Sequence, residues 1–180
     1  MGTDELVDVV DEHDVVIETV TRRTVRADVL RHRAVYIVVT SSRGELLVHQ
    51  RSFEKDVAPG WWDVAAGGVV GHGESYENAA HRELTEELGV TASLETIAAG
   101  SFDHADVHIV GRAFLARHDG PFTFTDGEII AANWVPLAEI DTHLAEPGRT
   151  WCPDSIAIAL RPFLATVQTR SQQTADGTNR

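Results

Sequence analysis

Cysteine is nearly missing from this chain. Cys152 stands alone, which excludes an internal disulfide framework and any multi-cysteine zinc knuckle. No apolar run approaches the roughly 20 residues of a membrane span. Positive charge is scarce as well: 15 Lys and Arg face 28 Asp and Glu, for a net charge of −13. Such a surface repels phosphate backbones, which argues against a nucleic-acid polymer as partner. The opening Met1-Gly2-Thr3-Asp4-Glu5 is acidic where a signal peptide carries positive charge, so a cytoplasmic chain without membrane association is expected. What is present is ordinary. Apolar residues make up 43% and charged residues 24% of 180 positions, enough to bury one full core without staples.

Along the chain, Leu6, Val7, Val9 and Val10 lie among five Asp and Glu and read as a short strand. Arg22, Arg23, Arg26, Arg31 and Arg33 form the concentrated positive charge. Such a run is either a solvated face or a gathering of arginines around an anionic ligand, and the sequence weighs the two equally. Val35–Thr40 suits a buried strand, Ser41–Gly44 a turn, and Glu45–Gln50 a second strand. A helix is predicted from Ser75, its N-cap, to Leu88, with Gly89 as its stop. Further strands are expected at Val107–Ala116, Phe122–Phe124 and Asn133–Val135, a short helix from Pro136, and an amphipathic segment over Pro153–Val167. Residues 168–180 read as a polar tail without structure. The whole suggests a single domain over 1–167, α/β or α+β, with helices packed on a mixed sheet.

One helix breaks a local rule. Glu83, Glu86 and Glu87 fall at i, i+3 and i+4, three carboxylates within about 100° of arc. Like charges so spaced destabilise an isolated helix, and Arg82 is the one cation placed to compensate Glu86. Ala80, Leu84 and Leu88 form a neighbouring apolar stripe that fixes the orientation. Carboxylates held together make sense around a hard divalent cation, for which oxygen ligands suit Mg²⁺ or Mn²⁺; a solvated acidic face is the plain alternative. Just upstream, Gly67, Gly68, Gly71 and Gly73 let the backbone turn closely about a ligand.

Gly68, Glu74 and Arg82-Glu83-Leu84-Thr85-Glu86-Glu87-Leu88-Gly89-Val90, at spacings of five and seven residues, match every defined position of the Nudix box. The chain therefore resembles the Nudix hydrolase superfamily over residues 68–90, and more weakly elsewhere. The resemblance implies an α/β/α sandwich with a mixed β-sheet between helices. It also implies a hydrolase that uses Mg²⁺ or Mn²⁺ to cleave a diphosphate linkage, with a small-molecule diphosphate as substrate. Glu83, Glu86 and Glu87 would ligate metal, with the carbonyl of Gly67 and, from a later loop, Glu128. Arg82 would orient Glu86 or a neighbour, and Glu74 would steady the junction of loop and helix. Glu86 or Glu87 would accept a proton from the attacking water. Relatives often form homodimers.

Residues 32–39, 46–52 and 55–63 resemble the isopentenyl diphosphate isomerase branch of the same superfamily. There Arg51 and Lys55 match diphosphate contacts and His32 a metal-binding histidine, so these three are substrate-side candidates. The branch's catalytic cysteine falls at Gly67, however, and a further metal-ligand histidine at Val69. Those departures disfavour isomerase chemistry. A Nudix fold that senses nucleotides without cleaving them is the other alternative, and it predicts a degraded box. His104, Asp106 and His108 would share one face of a strand and line a pocket or a polar surface. Trp61 and Trp62 either stack a base or pack the core. Cys152, with no base assigned to it, is not a nucleophile candidate.

Overall fold

The computed structural model describes residues 4–177. Its centre is β3, His32–Thr40, whose side chains alternate between two cores. Ala34, Tyr36 and Val38 enter one, and Val35, Ile37 and Val39 enter the other. A strand buried on both faces reads as a continuous apolar run, which is why VYIVVT stands out in the sequence. β3 runs parallel to β8 (Val107–Arg117) from His32↔Ile109 to Thr40↔Arg117. On its other edge it pairs antiparallel with β6 (Ala66–Val69).

The rest of the sheet grows from these partners. β7 (Leu94–His104) pairs antiparallel with β8. β4 (Glu45–Arg51) carries β9 (Ile129–Pro136) and the two-residue β5 (Trp62–Asp63). An N-terminal hairpin of β1 (Leu6–Val10) and β2 (Val16–Thr21) joins through Val9↔His32. Helix α1 (Arg22–Ala27) follows, buries Val25 against Val7, Val9 and Val69, and leaves its arginines around that contact.

Helix α2 (Tyr76–Leu88) covers one face of the sheet through Tyr76, Ala79, Ala80, Leu84 and Leu88. The other face is covered by α3 (Ile140–Leu144) and a C-terminal helical run. That run starts as α4 (Pro153–Ser155), passes through a π turn at Ile156–Leu160 and continues as α5 (Arg161–Gly177). The result is a three-layer α/β/α sandwich with a mixed sheet, the expected architecture.

Several local expectations change. The chain stays helical past Val167 to Gly177, where a structureless tail was expected; Arg170 reaches back to Glu95 at 2.5 Å and ties this stretch to β7. Residues 178–180 of that tail lie outside the described residues. Phe122–Phe124 is not a strand. The Thr123 N–H donates to the Leu88 carbonyl at 3.0 Å, so the segment closes the end of α2 instead of joining the sheet. β2, α1 and β7 have no counterpart in the expected elements.

Candidate active site

The geometry of α2 begins with its ends. The Ser75 hydroxyl accepts the Asn78 N–H at 3.2 Å, and Gly89 closes the helix at φ +67, a left-handed conformation that disfavours a side chain. With the apolar stripe seated on the sheet, Glu83 and Glu87 turn inward and are 4% and 2% exposed, while the Glu86 side chain remains 45% exposed. Glycine makes room for Glu83 and for the close pairing of β6 with β3. A Cβ on Gly68 would lie 2.3 Å from Glu83 Oε1, and one on Gly67 would lie 2.0 Å from the Val35 carbonyl oxygen.

Arg82 organises the mouth of this pocket. Its Nε and Nη2 donate to the two oxygens of Glu74 at 3.0 and 2.9 Å, and Nη2 also donates to the Val69 carbonyl at 3.1 Å. Its Nη1 donates to Glu83 at 2.6 Å and to Glu86 at 3.2 Å. Glu74 in turn accepts the Gly71 N–H at 3.0 Å, which joins the glycine loop to the helix. On the inner side, Glu87 accepts the Gly67 N–H at 3.0 Å and Lys55 Nζ at 3.1 Å, and Lys55 also bonds Glu128. Compensation of the acidic helix therefore comes from two cations, Arg82 nearby in sequence and Lys55 from a distant loop.

Burial governs the ionisation of these groups. It pushes the Glu83 carboxyl up to about 8, assisted by the neighbouring charge of Glu87. Burial raises Glu87 too, against the pull of Lys55 and the Gly67 N–H. Glu128 is also partly buried, but Lys55 outweighs that effect and holds it low.

Among the described residues no three His, Cys, Asp or Glu side chains already converge as a cage; Arg82 bridges Glu83 and Glu86, and Lys55 bridges Glu87 and Glu128. The donor set nevertheless fits a hard divalent cation. It consists of oxygens only, it is held on a rigid helix, and it contains two buried carboxyls whose ionisation burial opposes and a cation would favour.

From the carboxylates a cleft of about 790 Å³ extends past Arg51 and Lys55 to Arg22, Arg26 and His32, and on to Trp61, Phe102 and Val107. Arg51 donates to the Val57 carbonyl at 3.0 Å and faces Asp63 at 3.6 Å. His32 is buried, its Nδ1 lies 3.0 Å from the Leu30 carbonyl, and burial together with Arg26 and Arg22 lowers it to about 4. It is therefore neutral near pH 7. The floor includes Tyr36, whose hydroxyl donates to Asp154 at 2.8 Å, and Cys152, whose thiol is driven up by burial and by Asp63, away from thiolate character.

The continuous strand face expected for His104, Asp106 and His108 is absent. Residues 105–106 form the turn between β7 and β8, so His104 and Asp106 line the cleft while His108 lies 2.9 Å from Asp103 across the hairpin. Trp62 packs on Trp151 at 6.0 Å between ring centres, and Trp61 faces the cleft. Arg22 and Arg26, left undecided by composition, also face it. Tyr36 and Asp154 belong to the cleft as well. The alternation of the β3 run carries a signal for Tyr36, since it places that residue on the side opposite Val35 and Ile37. Asp154 has none, because only the tertiary fold brings it there.

A NUDIX domain family model matches residues 30–154. An uncharacterised Nudix hydrolase of Yersinia pestis is 40% identical over 154 residues, covering 84% of this chain and 82% of its own length. The uncharacterised Nudix hydrolase YfcD of Escherichia coli K12 is 37% identical over 163 residues, covering 89% and 88%. Among solved structures, a crystal structure of a Deinococcus radiodurans protein superposes with a TM-score of 0.71 at 27% identity, over 84% of this chain and 95% of that one.

Proposed function

The chain belongs to the Nudix family and is a Nudix hydrolase, and from that premise we propose that it cleaves a diphosphate linkage, in a nucleoside diphosphate derivative or a related compound, by divalent-cation-dependent attack of water on phosphorus. The observation that carries the reading is the pair of buried carboxyls, Glu83 and Glu87, set against the Gly67–Gly68 backbone at the head of a cleft large enough for a small molecule. Glu83, Glu86 and Glu87 would hold Mg²⁺ or Mn²⁺, with the Gly67 carbonyl and Glu128. When bound, such an ion neutralises diphosphate charge and lowers the pKa of a water.

The chain's own residues do the rest. Arg82 fixes Glu83 and Glu86 and is itself fixed by both oxygens of Glu74, so the carboxylates meet the substrate in one arrangement. Glu86, open to solvent, or Glu87, between Lys55 and the Gly67 N–H, accepts the proton released by water. Arg51 and Lys55 contact the diphosphate, and neutral His32 offers a hydrogen bond beside them. Gly67 and Val69 supply neither the thiol nor the imidazole that isomerase chemistry on an alkene requires.

The test is a phosphate-release screen over nucleotide sugars, dinucleotides, coenzyme A, and nucleoside di- and triphosphates, run with Mg²⁺, with Mn²⁺ and with EDTA. Metal-dependent turnover that falls by about a hundredfold or more in Glu86→Gln, with the fold intact, is the expected result. Turnover indifferent to EDTA or to Glu86→Gln, or no turnover with any member, would overturn the reading.

A further inference from the structure

In a chain with so few cations, three arginines line a single cleft: Arg22, Arg26 and Arg51. Two of them, Arg26 and Arg51, are not fully consumed by the fold. Arg26 Nε and Arg51 Nε are both buried, and neither has a hydrogen-bond partner among the described residues. The carboxylate facing Arg26 is Asp56, 3.7 Å from Nε and too far for a hydrogen bond. Arg51 donates to the Val57 carbonyl through Nη2 and faces Asp63 at 3.6 Å through Nη1, which leaves its Nε unmatched, and Arg22 reaches Glu5 at 4.0 Å. The packing of α1 requires only Val25, and its neighbour Arg23 faces away to Asp4 at 3.2 Å. Arg22 and Arg51 also act on Arg26 as like charges, in a place where burial already disfavours its ionised form.

Guanidinium donors left unmatched inside a cleft, repelling one another, form a site that an anion completes. A terminal phosphate offers two charges and three free oxygens, whereas an internal phosphate offers one charge and two. The unpartnered Nε donors of Arg26 and Arg51 call for more acceptor oxygens than an internal phosphate offers, and match the terminal group better. We infer that Arg26, with Arg51 and Arg22 beside it, is an anion subsite for a terminal, unesterified phosphate, so that the substrate ends in a free phosphoryl group. This rests on reading the cleft as the site of diphosphate hydrolysis, and it narrows the substrate class.

The probe is inorganic pyrophosphate, titrated calorimetrically into the full chain in EDTA, with a nucleotide sugar, whose phosphates are all esterified, as the comparison. Arg26→Gln is expected to weaken pyrophosphate binding by about tenfold or more and nucleotide-sugar binding by no more than about twofold. Asp56→Asn, which removes a competing anion, is expected to tighten pyrophosphate binding. Should Arg26→Gln fail to fold, Arg26→Lys keeps the charge without the fork and is expected to fall between. A nucleoside diphosphate and an alkyl diphosphate, each competed against pyrophosphate, identify by the tighter of the two which kind of group carries the phosphate. Pyrophosphate affinity unmoved by both the Arg26 and the Asp56 variants would overturn the subsite, as would equal losses for pyrophosphate and nucleotide sugar. Turnover is read separately: binding through Arg26 without any hydrolysis leaves the subsite standing and sinks the hydrolase reading, and hydrolysis with binding indifferent to Arg26 does the reverse.

Discussion

Glu83 and Glu87 face inward one turn apart on α2, and the low-dielectric pocket sets each against the other's charge. The folded chain therefore holds a proton on Glu83 more tightly than the unfolded chain does. Its contribution to stability is complete below about 4.5 and is lost as pH rises toward about 8. In EDTA, thermal melts should fall across that window, and Glu83→Gln should flatten the fall and raise the melting temperature at pH 8. A wild-type profile that is level between pH 5 and 8 would contradict the burial argument. Arg82 is the opposite case. It is committed to four acceptor groups, and Arg82→Lys keeps its charge but loses the paired bonds to Glu74. A loss of about 2 kcal/mol by urea denaturation is expected. Glu83, Glu86 and Glu87 were legible in the sequence because their spacing violates a helix rule. The role of Lys55 in pairing Glu87 with Glu128 was not, because 32 positions separate Lys55 from Glu87 and a loop brings them together.

At the scale of elements, the glycine loop and the helix it feeds work as one part. Gly68→Ala would force the Glu83 carboxylate from its place, yet the obstructing atom is the end of a flexible side chain. The variant should fold with a near-native melting temperature and lose metal-dependent turnover; a fully active Gly68→Ala would show that Glu83 need not lie against the loop. Gly89→Ala differs in kind, since it adds a Cβ 2.8 Å from the Thr123 carbonyl oxygen at a positive φ. A cost of about 1–2 kcal/mol is expected, measured by chemical denaturation with activity retained in the folded fraction. The caps Ser75 and Gly89 were legible because capping is local chemistry. β7 was not, because its exposure pattern lacks a clean alternation, and it takes its strand form from pairing along β8. The reading of Phe122–Phe124 as a strand failed for a related reason: its apolar alternation serves the end of a helix instead of a sheet edge.

At the scale of the molecule, a net charge of −13 coexists with an arginine-lined cleft, so local field and overall charge oppose each other. A divalent cation that binds only the folded chain should stabilise it by about 2.7 kcal/mol at about a hundred times its Kd. For a domain of this size that corresponds to a rise of roughly 5–10 °C in melting temperature. Differential scanning with Mg²⁺ against EDTA checks it, and the rise should vanish in Glu83→Gln. The sandwich itself was legible in outline, since a doubly buried strand and amphipathic helices admit few arrangements. Of the N-terminal hairpin only the first strand was, because β2 is exposed along most of its length and shows no core-facing pattern.

β3 is bonded to β8 along one edge and to β6 along the other, and β6 carries Gly67 and Gly68. Deuterium should therefore enter the amides shared by β3 and β6 only when the whole sheet comes apart, while the 52–61 segment, bound at few points, exchanges through small openings. Two clocks follow from one strand. The glycine floor of the cleft keeps the time of global unfolding, and the loop that carries Lys55 and Trp61 keeps a faster one.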